Sequence, residues 1–361
     1  MIATPALLCS LRQLSDNLKQ MQEHCRRHQL NLRPMVKTHK CSRIIQMQME
    51  AGATGVLTTS LKEARLALKT GCKDITLAYP LMEASQKRAL QEMSENCKLT
   101  LTVDSLEQVE FLQSCFMGMP QVKILIKIDS GLHRLGIIPE DTPRLQSVCQ
   151  AILQSKNLEY EGVSTHAGQV YSCRNLKEVL QVAKKEQDSV RRASKSLLPL
   201  SPSNVVAIGS TPTVICSNDF EGITEVRPGN YVFYDRIQVA LGAAQMEQCA
   251  LRVAGTVLSK PADHRAIINL GSKQLGLDRG AHGQELTPFF GTIMEYPEAE
   301  IFALSEELGR VCLPLSSKIQ AGDIIHVIPN HACVVSNLFR KMHLIDSFGK
   351  VLDTWEIDSG N

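Results

Sequence analysis

The chain has 361 residues, which at about 150 per domain predicts two domains, or one barrel with an appendage. Its 39 basic and 37 acidic residues nearly cancel, to +2, with no long run of one sign, which argues against a nucleic-acid surface or a funnel for acidic substrates. At 43% apolar and 21% charged the composition is that of a globular chain, and no apolar run approaches the ~18 residues of a membrane span.

The start, MIATPALLCSLRQ, lacks the basic region and cleavage site of a signal peptide. After it, short β-rich runs alternate with amphipathic helical stretches. The runs are LRPMVK ending at Lys37, GVLTTS at Ser60, DITLAY at Tyr79, KLTLTV at Val103 and VKILIKID at Asp129. They continue with EGVSTHAG around His166, VVAIGS at Ser210 and TEVRPGNYVFY around Arg227. Helical patterns such as SRIIQMQMEAG and LKEARLALKTG close with Gly52 and Gly71, as C-caps. Eight alternations predict a parallel (β/α)8 barrel of the TIM type over residues 11–235. An open doubly wound sheet is the alternative, weakened because no G-x-G-x-x-G follows the first strand. Beyond 235, ALRVAGTVLSK, HRAIINLG, FFGTIME, EIFALSEE, DIIHVIPNHAC and MHLIDSFGKVLDTWEI read as strands. They predict a C-terminal, mostly-β domain over 236–361, which the strand at 1–10 joins. Twelve cysteines scattered from Cys9 to Cys333, none paired as C-x-x-C, read as free thiols of a cytoplasmic protein.

A barrel carries its chemistry at the C-terminal ends of its strands, which gathers distant polar residues into one constellation. Lys37 ends the first strand behind an apolar pair, a place for a Schiff-base lysine or a general base; alternatively it is a surface lysine like Lys40. Ser210 and Thr211, in Gly209-Ser210-Thr211-Pro212, end the seventh strand and form a candidate phosphate cradle, or simply a turn. Arg227-Pro228-Gly229-Asn230 adds a glycine on the eighth. A lysine facing an anion site across a barrel suits pyridoxal 5'-phosphate. Arg134 follows the fifth strand, where it could reach a ring oxygen or a substrate carboxylate. His166, Gln169 and Tyr171 follow the sixth as candidate cofactor contacts. His331 and Cys333, at i and i+2 of a strand, would share one face and could hold a catalytic divalent metal; otherwise they are a half-buried histidine beside a core cysteine. His24 and His28 read as a solvated helix face.

Arg33-Pro34-Met35-Val36-Lys37-Thr38-His39-Lys40 resembles the R-P-H-x-K-T-H-K segment of the D-serine dehydratase and D-threonine aldolase family, alanine-racemase-like pyridoxal-phosphate enzymes. GSTPT, RPGNYVFYD and PNHAC follow in the family's order, so the likeness spans nearly the whole chain. The resemblance implies that Lys37 carries the internal aldimine and that Thr211, Gly229 and Asn230 hold the phosphate. It further places Arg134 near the ring hydroxyl and Arg227 at the pyridine nitrogen with His166 behind, Tyr171 sharing that contact. His331 and Cys333 match the metal pair, zinc in the dehydratases, with manganese the other candidate. Met35 stands where the family usually has histidine, and Ser164 where many relatives have tyrosine. The implied protein is a homodimer taking a small 3-hydroxy D-amino acid to a keto acid and ammonia, without nucleic-acid or membrane partners. The alternatives are an aldolase releasing glycine and an aldehyde, then a racemase, then a non-catalytic pyridoxal-phosphate-binding protein. Cys333 favours the dehydratase.

Overall fold

The computed structural model describes residues 2–281 and 283–358. Strand β1 (Ala6–Ser10) runs into helix α1 (Leu11–Arg27), started by the Ser10 hydroxyl, which accepts from the Gln13 N–H. Leu14, Leu18, Met21 and Cys25 recur at helical spacing on α1 and are buried. The parallel strands follow: β2 (Asn31–Leu32), β3 (Val56–Thr58), β4 (Asp74–Leu77), β5 (Lys98–Val103), β6 (Val122–Lys127), β7 (Leu158–Ser164), β8 (Val205–Ile208) and β9 (Glu225–Val226). Between them lie α2 (Ser42–Ala51), α3 (Leu61–Lys69), α4 (Lys87–Asn96), α5 (Leu106–Cys115), α6 (Thr142–Leu153), α7 (Leu176–Leu197) and the short α8 (Thr211–Cys216).

These eight strands form one sheet in the order β2-β9-β8-β7-β6-β5-β4-β3, so the first strand lies beside the last and the sheet curls on itself. A single parallel bridge, Met35 to Leu57, joins the two remaining edges. Strand and helix alternate as the periodicity predicts, and the architecture is a (β/α)8 barrel with a mostly-β second sheet. Most strands are shorter than the apolar runs, although KLTLTV is β5 residue for residue and β7 begins three residues before EGVSTHAG. LRPMVK shrinks to two strand residues because Pro34 has no N–H for a ladder and Val36–Thr38 winds into a 3-10 turn. TEVRPGNYVFY shrinks likewise to β9, with a second such turn at Asn230–Val232 after Pro228. Gly52 caps α2 at φ +113, whereas α3 ends on Thr70, one residue before Gly71 at φ +91.

After α9 (Arg236–Ala240) the chain builds a nine-stranded sheet from β1, β10 (Leu251–Ala262), β11 (Arg265–Ile268), β12 (Thr292–Ile293), β13 (Glu300–Leu304), β14 (Gly309–Cys312), β15 (Ile324–Ile328), β16 (Lys341–Ile345) and β17 (Val351–Glu356). β1 lies between β10, antiparallel, and β16, parallel. Strand β14, GRVC, was not among the sequence-predicted runs. The remaining helices are α10 (Ser272–Leu275) and α11 (Ala332–Leu338). His331 and Cys333 are therefore not strand residues: His331 is the N-cap of α11 and Cys333 lies in its first turn. Pro329 and Asn330 end the strand, their carbonyls taking the N–H groups of Arg236 and Ile237. His24 and His28 are not a solvated face either; both are half-buried and pack edge-on against Phe220. All twelve cysteines are free, eight of them buried, and no helix of the described residues is long and apolar enough to cross a membrane.

Candidate active site

A cavity of ≈ 390 Å³ opens at the C-terminal ends of the barrel strands. Of the twelve residues singled out in the sequence, Lys37, Arg134, His166, Tyr171, Ser210, Thr211, Arg227, Gly229, Asn230, His331 and Cys333 line it. Gln169 does not: its amide donates to the Ser130 carbonyl at 3.0 Å, beside the loop that carries Arg134. The gathering follows from the parallel fold, which sends every strand's end to one face. In the KTHK segment the 3-10 turn sends Lys37, Thr38 and Lys40 to the cavity, while His39 is buried in the core, its Nδ1 accepting from the Cys41 N–H.

The cavity is rich in cations. Lys37, Lys40, Lys127, Arg134 and Arg227 all line it. Arg227 is buried and held by Glu225, whose Oε1 accepts from Nε at 2.7 Å and lies 2.6 Å from Nη2. The other oxygen of Glu225 accepts from Arg33 Nε at 2.8 Å, and Arg33 in turn pairs with Asp74 at 2.6 Å. Burial opposes ionisation of Glu225, but Arg227 and Arg33 together hold it below the usual carboxylate range. Arg134 lies over the Tyr79 ring, 5.6 Å from its centroid. Its loop is set by Asp129, which accepts from the N–H groups of Gly131 at 2.8 Å and His133 at 3.1 Å.

Lys127 was missed by the sequence reading. It closes β6 and is 7% exposed; burial first, then Arg227 and Arg134, pushes its ammonium down to about 7. Its signal was present, since a lysine ending the apolar run VKILIK stands as Lys37 does at the end of its own. His166 is neutral: burial and the nearby Lys37 charge hold it well below its ordinary value. Its Nδ1 lies 2.6 Å from the Gly209 carbonyl, so the proton sits on Nδ1.

The cavity's other end is assembled by α11. Its Asn337 side chain donates to the Lys37 carbonyl at 3.3 Å, Ser336 donates to the Thr38 carbonyl, and Thr38 Oγ1 lies 3.2 Å from Cys333 Sγ. These bonds bring the His331 and Cys333 pair beside Lys37. Asp278 lies 2.6 Å from His331 Nδ1, an arrangement that leaves Nε2 for a ligand. Asp235, fully buried, accepts from the Ala332 N–H at 2.8 Å and the Asn230 amide at 2.6 Å, tying α11 to the end of the barrel. Although burial works against both charges, Asp278 and Cys333 push His331 up to about 10, and His331 holds the Cys333 thiol below its ordinary value. Asp278 carried no readable signal, and Asp235, though it closes the RPGNYVFYD motif, showed no role there, because only tertiary folding places them against α11.

These residues fit pyridoxal phosphate. Five lysine and arginine side chains face one buried acid, Glu63, around a space of small-molecule size, with an apolar wall of Met35, Leu57 and Ala78. The wall beside Gly229 is already full: a Cβ there would come within 2.9 Å of Thr38 Oγ1 and 3.1 Å of Met35 Cβ. Only the bare backbone fits between the lysine turn and the cavity. A thiolate and an imidazole, the latter oriented by a carboxylate, equally fit a borderline divalent metal whose remaining positions are left to water or substrate.

Residues 9–236 match the family of the alanine racemase N-terminal domain, and residues 250–345 match a putative serine dehydratase domain. The chain is 30% identical over 370 residues to the D-threo-3-hydroxyaspartate dehydratase of Delftia sp. (strain HT23), covering 98% of this chain and 96% of the relative. It is 28% identical over 385 residues to the D-serine dehydratase of Dictyostelium discoideum, covering 98% and 96%. The solved structure of the Delftia enzyme superposes with a TM-score of 0.92 at 29% identity, over 99% of this chain and 97% of that one. A cysteine-to-alanine variant of that enzyme has been solved in a metal-free form. The chain thus belongs to the alanine racemase N-terminal domain family, in the branch where that region is followed by a serine dehydratase domain.

Proposed function

We propose that this protein is a pyridoxal-phosphate- and metal-dependent lyase that dehydrates 3-hydroxy D-amino acids such as D-serine and D-threonine to a keto acid and ammonia. The carrying observation is that the His331–Cys333 pair stands against the Lys37–Thr38 turn, so a base and a site for an oxygen-binding metal share one cavity. Relatives named as dehydratases that align along nearly the whole chain support the same reading. Bound pyridoxal phosphate would supply an electron sink for charge at Cα, and the metal a Lewis acid for the leaving hydroxyl.

The protein's own groups take the remaining roles. Lys37 would anchor the cofactor carbonyl, and its amine would serve as the base for the Cα proton. Ser210, Thr211, Gly229 and Asn230 receive the phosphate, and Arg134 the ring oxygen. Arg227, kept charged by Glu225, would face the ring nitrogen, with neutral His166 and Tyr171 as further contacts for the ring. His331 Nε2 and Cys333 Sγ hold the metal, zinc by the softness of the donors, with manganese the weaker fit. We assign residues 11–235 to a cofactor domain and 236–361, with the strand at 1–10, to a β domain. On the family resemblance the working form is a homodimer, and the free thiols fit the reducing cytoplasm.

The test is incubation of the cofactor-loaded protein with D-threonine, with and without a chelator, and identification of products by mass spectrometry. Chelator-sensitive 2-oxobutyrate and ammonia are expected. Glycine and acetaldehyde would replace dehydration by aldol cleavage, and formation of the Cα epimer, L-allo-threonine, alone would make the protein a racemase.

A further inference from the structure

Glu186 lies on α7, outside every motif discussed above, and its side chain is completely buried behind the ends of β7 and β8. One oxygen, Oε1, accepts two backbone hydrogen bonds, from the Ala167 N–H and the Gly209 N–H, each 3.0 Å long. Ala167 follows His166, and Gly209 opens the Gly209-Ser210-Thr211 segment. The other oxygen, Oε2, is buried without a hydrogen-bond partner among the described residues. Thr213 Oγ1 lies 2.9 Å from Ser210 Oγ, which faces the cavity side of the same turn. The His166 to Gly209 bond closes the ring from the other side.

A buried carboxyl needs a compensating set of hydrogen bonds, and this one spends them on the two loops that carry the anion cradle and the buried histidine. Gly209 is fixed between this carboxyl and the Arg227 backbone, since a Cβ on it would approach Arg227 N within 2.8 Å. Burial raises the carboxyl above its ordinary value, and the bonds from the Gly209 and Ala167 N–H groups oppose that shift.

We propose that Glu186 is a positioning residue for the cofactor phosphate: by holding the Ala167 and Gly209 N–H groups, it sets the shape of the cradle without touching its occupant. The proposal rests on the pyridoxal-phosphate reading of the cavity. It separates the phosphate from the aldehyde, because Lys37 comes from a different element, the first strand's turn, which Glu186 does not contact.

The experiment titrates cofactor-stripped protein with pyridoxal 5'-phosphate and, separately, with pyridoxal, following visible absorbance, with melting by circular dichroism as the check on folding. Glu186→Ala leaves two buried donors unsatisfied, so affinity for pyridoxal phosphate is expected to fall about 10- to 100-fold while that for pyridoxal changes less than about 3-fold. Glu186→Gln keeps an oxygen for both N–H groups and is expected to restore the phosphate-bearing ligand to within about 3-fold of the unsubstituted protein. Should the alanine variant fail to fold, Glu186→Asp shortens the side chain and draws the acceptor away from both N–H groups, with an expected selective loss of about 3- to 10-fold. Equal weakening of both ligands, or of neither, in whichever of the two variants folds would overturn the assignment. An unsubstituted protein that binds pyridoxal phosphate no tighter than pyridoxal would overturn the cradle itself, and the role of Glu186 with it.

Discussion

Lys127 and Lys37 each close an apolar run of the same barrel, yet their surroundings differ. Lys127 sits among Arg227 and Arg134 on the buried floor, and its ammonium is pushed down to about 7 from an ordinary 10.5. The folded chain therefore binds fewer protons here than the unfolded chain between those values. The resulting penalty is absent above about pH 10.5 and complete below about pH 7. At about 1.4 kcal/mol per unit it amounts to about 5 kcal/mol at most. Lys127→Met should thus stabilise the cofactor-free protein more at about pH 7 than at about pH 10. Urea unfolding at both pH values measures the difference, and an equal gain at the two would show that Lys127 is not the group being desolvated. The sequence rule that singled out Lys37 applies equally to VKILIK; what the chain could not reveal was that Arg227, a hundred residues on, and Arg134, from the loop after its own strand, converge on this lysine.

Among the elements, β7 shows how a local irregularity serves the barrel. Tyr160 pairs with Ile124 and Gly162 with Leu125, so Glu161 is an extra residue in the strand, and it turns to Lys123. Gly162 has φ +147, and a Cβ on it would fall 1.9 Å from the Val205 carbonyl oxygen of β8. Gly162→Ala must both strain the backbone and force β7 away from β8, so a loss of about 3 kcal/mol or more is expected in chemical denaturation. A loss under about 0.5 kcal/mol, the scale of a surface change, would contradict the bulge geometry. Periodicity found every barrel strand but overran most ends, since the same apolar residues continue into the 3-10 turns at Val36–Thr38 and Asn230–Val232. The PNHAC segment was misread for a related reason. Two-residue spacing on a strand and the cap of a short helix both bring His331 and Cys333 together, and only the partners of Asp278 and Thr38 distinguish them.

For the whole molecule, the consequence is that chemistry and stability are separable. The two proposed metal ligands lie within three residues on one short helix, so a bound ion closes almost no loop and cross-links no distant elements. The fold is instead held by a core shared between the barrel and the second sheet, with β1 hydrogen-bonded to β10 and β16. Chelation should therefore abolish turnover while lowering the unfolding midpoint by less than about 2 °C, as read by calorimetry. A fall of about 10 °C or more would make the ion structural and require ligands from elsewhere in the chain.

Periodicity, turn residues and four ordered motifs were enough, by themselves, to establish a (β/α)8 barrel followed by strands and to name eleven of the cavity's lining residues. They sufficed because a parallel barrel delivers every strand's C-terminal end to one face, so position along the chain translates directly into position in space. Tertiary structure alone decided the rest: Lys127 among arginines, Asp278 on His331, Asp235 beneath α11, and Glu186 between two loops. Each of these acts through a partner tens or hundreds of residues away. A hydrogen bond of that kind depends on where two elements come to rest against each other, and local propensity carries no record of it.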